Sequence, residues 1–160
     1  MARLIPNEST WVGFLPTMTD YQAPSAAAFS SAIDLTPLLI SLNASAQGNA
    51  IPTPNISSLF ETTTPGTVQA SFTADFYRDD EAAKDLAYTT LPRRASGFIL
   101  VSRWSANTSG TKPIVGDKID VWPITVISRT NSNLGSNTVM TFTVTCSVTS
   151  TPAEDVTVLV

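Results

Sequence analysis

The chain has 160 residues, 42% hydrophobic and only 14% charged, with a net charge of −4 and no histidine. That length holds one sizeable core and is too short for two ordinary domains. The missing histidine excludes Ser-His-Asp and Cys-His catalysis and histidine-ligated metals, and the single Cys146 excludes an internal disulfide or a thiolate cage.

Serine and threonine, 18 and 23 residues, stand where charges usually would. Such a chain is not disordered by composition, yet it is poorly equipped for solubility as a free monomer, which points to burial in an assembly. No apolar run approaches the roughly 20 residues that span a bilayer, so no membrane anchor is expected. The opening residues 1–6 lack the apolar stretch of a secretory signal, so the chain is expected to begin life in a reducing cytoplasm. The negative excess lies before residue 78, where Arg3 faces Glu8, Asp20, Asp34, Glu61 and Asp75; from Arg78 onward eight basic residues balance eight acidic ones. No Lys/Arg cluster suggests a grip on phosphate.

Residues 1–30 read as an N-terminal arm. Pro6, Pro16 and Pro24 recur, and Trp11, Val12, Phe14 and Leu15 show no sustained period. The arm is expected to pack on a partner or on its own domain as a peripheral strand. The folded body is expected over 31–150. Ile33–Leu42 is β-compatible, with Pro37 demoting it to an edge or bulged strand. Residues 43–54 read as a long loop of Asn, Ser, Gly, Gln and Pro, and 56–62 as a short strand.

The clearest pattern is 67–77, where Val68, Ala70, Phe72, Ala74 and Phe76 alternate with Thr67, Gln69, Ser71, Thr73 and Asp75. Strict alternation is a half-buried strand. A helix capped by Asp79 or Asp80 is expected to follow, with Glu81 in its first turn and Pro92 ending it near Leu91. Residues 97–104 are apolar on both faces at first, so this strand should be central. Residues 105–116 read as a second polar loop. Residues 119–129 form a long strand interrupted by Pro123, and 131–137, with Asn133, Gly135 and Asn137, a hairpin turn. Over 139–149, Met140, Phe142, Val144, Cys146 and Val148 alternate with Thr141, Thr143, Thr145, Ser147 and Thr149; Cys146 falls on the apolar face as a small buried hydrophobe. Residues 151–160 are expected to be a tail or one edge strand. The sum is mainly β: an antiparallel sandwich or barrel section with one short flanking helix.

Little in the sequence carries chemistry. Asp79, Asp80, Glu81 and Asp85 are the one dense acidic group, and helix capping on a solvated face explains them better than a metal or acid/base site. Gly116-Asp117 is ordinary turn chemistry. The glycosylation-type triplets at Asn43, Asn55 and Asn107 read as coincidence without a signal peptide. Trp11, Trp104 and Trp122 are core or interface anchors, which sequence does not separate. No cofactor is expected, and an enzyme is disfavoured.

The order of motifs resembles a known family. Phe76-Tyr77-Arg78-Asp79-Asp80, then a short helix, then Leu91-Pro92-Arg93-Arg94-Ala95-Ser96-Gly97-Phe98-Ile99, then Gly116-Asp117-Lys118-Ile119-Asp120-Val121-Trp122-Pro123-Ile124 is similar to the tail tube (major tail) proteins of long non-contractile-tailed bacteriophages. The resemblance covers residues 30–150 and is strongest over 66–130. It implies a β-sandwich with a flanking helix that self-assembles into stacked, hexameric rings, the virion's conduit for genome delivery. Partners would be the chain itself, the tape measure, tail terminator and distal tail or baseplate proteins, and double-stranded DNA in non-specific transit. On that reading Asp34, Gln69, Ser71, Thr73, Asp75, Thr141, Thr143 and Thr145 are candidates to line the lumen. Trp11, Phe14, Asn43, Gln47, Asn49, Arg93, Arg94, Asn107 and Lys112 are candidates for contacts between subunits. An Ig-like capsid decoration or adhesin domain is the competing reading.

Overall fold

A computed structural model of the chain describes residues 10–54, 60, 62–103, 112–132 and 135–160. Eight strands form one antiparallel sheet: β1 (Trp11–Leu15), β2 (Ile33–Asp34), β3 (Leu39–Thr53), β4 (Thr62–Tyr77), β5 (Ser96–Ser102), β6 (Lys118–Asn131), β7 (Thr141–Val148) and β8 (Ala153–Thr157). The strand order is β2-β1-β5-β6-β7-β4-β3, with β8 added to β6. Among the described residues there are also one α-helix, α1 (Leu86–Thr90), and two 3-10 turns, Ala26–Ser31 and Thr36–Leu38.

This sheet cannot be flat. Its two outermost strands, β2 and β3, are joined only through residues 35–38, a reach of at most about 18 Å at full extension. Six strand spacings laid flat would separate them by about 29 Å. The sheet therefore curls until its edges approach, which wraps one core. Val12 and Phe14 of β1, Ile99 and Val101 of β5, Trp122, Ile124 and Val126 of β6, Phe142, Val144 and Cys146 of β7 and Phe72, Ala74 and Phe76 of β4 fill it, with Ala87 of α1 and Leu91 just after it as its cover. A second core lies on the other face of β1, β5 and the first half of β6. There Trp11, Leu15, Leu100, Ile119 and Val121 pack under Phe29, Ala153 and Val158. Burial on both faces is why β5 reads as apolar from Phe98 to Val101, as expected of a central strand.

Pro123 lies in mid-sheet, where a proline normally costs a ladder bond. Its carbonyl accepts from Thr149 N–H at 3.0 Å, and N and O of one strand residue point to the same side. On that side β6 pairs β8 up to Val121 and β7 only from Ile124. The missing N–H thus falls where the partner strand changes.

Several expectations are corrected. Of the two packings expected for the arm, the one on the chain's own domain holds for Trp11 and Phe14, as an inner rather than a peripheral strand: β1 lies between β2 and β5 and both side chains are buried in the chain's own cores, so neither is free for a partner subunit. Residues 1–9 lie outside the described residues. The expected loop 43–54 is the bulk of β3, in register with β4 from Leu39↔Phe76 to Thr53↔Thr62. The expected strand 56–62 falls mostly outside the described residues. Pro37 sits in a 3-10 turn, not in a strand. The helix is only α1, because Asp79 Oδ1 accepts Glu81 N–H in a turn of its own, and Asp85 is drawn onto Arg78 at 2.8 Å instead of capping. Trp104, Asn107 and most of the 105–116 loop lie outside the described residues; Gly116, at φ +93, makes the expected turn with Asp117.

Candidate functional site

The two alternating strands, β4 and β7, are direct neighbours, and their register decides where the polar halves go. Ser71 lies opposite Ser147, Thr73 opposite Thr145 and Asp75 opposite Thr143. The intervening apolar residues enter the core, so every one of these polar side chains is on the outer face. β3 extends the pattern: Ser41, Asn43, Ser45 and Gln47 lie opposite Asp75, Thr73, Ser71 and Gln69. The second half of β6 extends it on the other side, with Thr130, Ser128 and Thr125 opposite Thr143, Thr145 and Ser147. Four adjacent strands thus share one hydroxyl- and amide-rich face, and Thr141 sits at its end beside exposed Tyr77.

Asp75 is the one charged side chain on these register positions. Ser41 Oγ donates to it at 2.6 Å and Thr143 Oγ1 at 2.5 Å. The bond from Ser41, and then that from Thr143, hold the carboxyl below the usual Asp range. Ser45 and Ser71 share a hydrogen bond at 3.1 Å, and Ser96 and Thr125 one at 2.8 Å. Ser41, Ser45, Ser71, Thr125 and Thr143 thus spend their hydroxyls on neighbours within the sheet, and the face offers a single fixed negative charge. Asp34 is not part of it: it lies on β2, five strands from β4, opposite Gly13, with Oδ1 accepting Thr36 N–H at 2.9 Å.

The face carries two aliphatic interruptions. A register shift between Leu39 and Ser41 raises Ile40, and another between Val126 and Ser128 raises Ile127. Their inward neighbours, Leu39 and Val126, belong to the core, so alternation sends both isoleucines outward, 43% and 60% exposed.

The remaining candidates scatter. Asn43 and Gln47 belong to the hydroxyl face. Asn49 lies at the second irregularity of β3. Arg93 and Arg94 are exposed, and Arg94, at φ 69, donates its N–H to Val126 O at 2.9 Å. Lys112 is occupied within the chain, donating to Ser30 O at 2.8 Å. Among the described residues no three His, Cys, Asp or Glu side chains could together hold a metal.

One cluster has no signal in the sequence, because its members are far apart in the chain. The Arg78 and Arg129 guanidinium carbons lie 3.4 and 3.6 Å from the centroid of the Tyr88 ring. Arg129 Nη1 also donates to Tyr88 O at 2.7 Å, and Tyr88 meets Phe142 edge-on at 5.2 Å. This stack pins α1 over the open end of the first core.

Beyond the rows shared with β7, the β3–β4 hairpin continues for seven residue pairs, from Ala46↔Ala70 to Thr53↔Thr62, with no third strand among the described residues. Its inner face bears Ala46, Gly48, Val68 and Ala70. With Val148, Pro152 and their neighbours, Ala46, Val68 and Ala70 border a groove of about 430 Å³.

A family model described as "Phage tail tube protein" matches residues 1–160. No curated protein matches the chain. Among solved structures, the SPP1 tail tube aligns with TM-score 0.58 at 14% identity, covering 94% of this chain and 78% of the other. A chain of the anti-feeding prophage baseplate, 6-fold symmetrised, aligns with TM-score 0.57 at 11% identity, covering 94% and 95%. A chain of the virion of a native gene transfer agent particle aligns with TM-score 0.55 at 11% identity, covering 92% and 95%. The tail of an empty gene transfer agent particle, refined with C6 symmetry, aligns with TM-score 0.54 at 10% identity, covering 92% and 96%.

Proposed function

The chain belongs to the phage tail tube protein family, and from that premise we propose that six copies close into a ring in which β6, β7, β4 and β3 of each line the bore. It is a structural component of the virion tail that self-assembles into the tail tube. Family membership decides against the decoration or adhesin reading. A catalytic role finds no support in a chain without histidine.

The observation that carries the lumen reading is the four-strand hydroxyl face with Asp75 as its sole charge. Six such four-strand segments make a barrel of 24 strands, beyond the 16–18 that already leave an aqueous channel. The 6-fold and C6 symmetries of two structural neighbours support the number six. Duplex DNA carries about one negative charge per 1.7 Å of axis. A hydroxyl-rich wall with one ionised carboxylate per subunit presents no cation to hold it, so DNA passes without sticking. A tape measure protein would occupy the same bore before the genome does. The tail terminator and the distal tail or baseplate proteins would take the two ends of the stack.

The projecting β3–β4 hairpin supports stacking. An isolated two-stranded hairpin is marginal in water, and this one leaves Val68 and Ile51 exposed, so it fits a contact with the next ring. Exposed Arg93 and Arg94 fit a contact with acidic groups of a neighbouring copy. Negative-stain microscopy of the purified chain tests the reading: rings or tubes with six-fold averages are expected, and monomers persisting at millimolar concentration would overturn it. A reconstruction with Asp75 and Thr143 on the outer wall would refute the lumen assignment alone.

A further inference from the structure

We propose that Arg93 and Arg94 of one copy hold the Asp34 carboxylate of the next, an ion-paired contact on the side of the subunit boundary away from the hydroxyl face. This rests on the ring reading above and deepens it by naming the acid that the exposed arginine pair meets.

Nearly every described cation is already engaged within its own chain. Arg78, Lys84, Arg103 and Lys118 form ion pairs with Asp85, Glu81, Asp120 and Asp155. Lys112 donates to Ser30 O, and Arg129 lies over the Tyr88 ring. Among the described residues that leaves Arg93 and Arg94, adjacent in the chain and both exposed. Two neighbouring guanidiniums repel each other, and a shared carboxylate relieves both. Arg94 also holds a left-handed backbone, φ 69, as do Asn137 and Asp155, residue types that tolerate it better. Glycine would make that turn without strain, so the turn itself does not call for a guanidinium.

The pair marks one flank of the subunit. Arg94 N–H donates to Val126 O, and Val126 N–H to Ala95 O, on the side of β6 that β5 covers from Asp120 to Thr125. The opposite flank lies where the curl brings the two ends of the sheet together, β2 and β3 joined by residues 35–38. From residue 33 to residue 53 that flank has one charged side chain, Asp34. In a ring each copy turns one flank to the other flank of its neighbour, a heterologous contact. The surface with two unengaged cations therefore meets the surface whose sole charge is an acid.

Asp34 suits the part. Its Oδ1 accepts Thr36 N–H at 2.9 Å, which fixes the carboxylate in the short link. No described cation of its own chain forms an ion pair with it, and it is half-buried, so its charge is less screened than that of a fully exposed acid. Asp80 and Glu154, the other described acids without a partner, are placed differently. Asp80 follows β4 and Glu154 lies on β8, and neither strand ends the hydroxyl face.

A zero-length carbodiimide tests this, because it joins an amine only to a carboxylate in contact with it. Arg94→Lys keeps the charge and supplies the amine. Assembled rings of that variant should give a ladder up to covalent hexamer on a denaturing gel, above the background of unmodified rings. Adding Asp34→Asn, which keeps an acceptor for Thr36 N–H, should abolish the ladder, and adding Asp80→Asn should leave it. Rings that yield no ladder, or a ladder that survives Asp34→Asn, overturn the contact while leaving the ring reading intact. Failure of the unmodified chain to form rings removes the reading on which the contact rests. Should Arg94→Lys block assembly, neutral variants provide the second test. Arg93→Gln/Arg94→Gln and Asp34→Asn should each raise the concentration at which rings appear in low salt by about two- to fivefold. Combined, they should raise it no further than the arginine pair alone; losses that multiply overturn the contact.

Discussion

Asp75 and Thr143 face each other across the β4–β7 ladder, and the Thr143 hydroxyl donates to the Asp75 carboxylate at 2.5 Å, opposite the bond from Ser41 at 2.6 Å. Both donors favour the ionised form, so the folded carboxyl titrates below its unfolded value. A depressed folded pKa contributes stability that is present above the unfolded pKa and lost as pH falls through the folded one. Denaturation midpoints of the unmodified chain should therefore fall on acidification below about pH 4. Asp75→Asn should flatten that limb and cost about 1 kcal/mol at neutral pH, the low end for hydrogen bonds to a charge in a solvated site. An unchanged acid limb in Asp75→Asn would remove this carboxylate from the account.

The double stack on Tyr88 makes a second, separable prediction. Its ring packs against two guanidiniums and the edge of Phe142. Tyr88→Ala should destabilise the fold by about 2–3 kcal/mol through lost packing and cation–π contacts, whereas Tyr88→Phe, which keeps the ring, should stay within about 1 kcal/mol. Urea midpoints at constant slope measure both. Equal losses in the two variants would mean that the ring stack is not what holds α1.

Gly97 lies under the Phe14 ring. A Cβ built there would approach Phe14 Cζ to 2.6 Å and Leu15 O to 2.8 Å. Since one obstacle is backbone, the ring cannot relieve the clash by moving. Gly97→Ala should cost about 1–3 kcal/mol by overpacking the β1–β5 pair, read as a lower thermal midpoint. Gly48 has no atom within 4 Å of such a Cβ, and Gly48→Ala should leave the monomer's midpoint unmoved.

Leu35 is fully buried in the short link between β2 and β3. Leu35→Ala should cost about 2–5 kcal/mol. Because that link joins the two ends of the sheet, hydrogen exchange should rise in β1 and at the start of β3 together. Exchange rising in β1 alone would argue that the link does not couple the two edges.

Cys146 is buried, and burial pushes its thiol up to about 12. A maleimide at pH 8 should therefore leave the native chain unlabelled and label one thiol per chain in guanidinium. Prompt labelling of the folded monomer would show that the β7 face opens more readily than its packing implies.

What the sequence determined alone is what local chemistry dictates. Strict alternation over 67–77 and 139–149 marked β4 and β7 and put Cys146 inside, because a strand sends successive side chains to opposite faces whatever its neighbours are. The two-sided apolar run of β5 marked a central strand for the same reason. The order of short motifs pointed to the tail tube family, which the match over residues 1–160 bears out. β3 was partly legible too, since Leu42, Ala44, Ala46 and Gly48 alternate with Ser41, Asn43, Ser45 and Gln47. Its apolar half is mostly Ala and Gly, however, and too weakly hydrophobic to stand out from a loop. Only the tertiary structure decided that this stretch is a strand, since its pairing partner lies up to 37 residues away at Phe76. Likewise only the curl of the sheet placed Trp11 and Phe14 in the cores and gathered hydroxyls from four strands around Asp75. Register between distant segments is set by which apolar faces can be buried together, and that is a property of the whole chain.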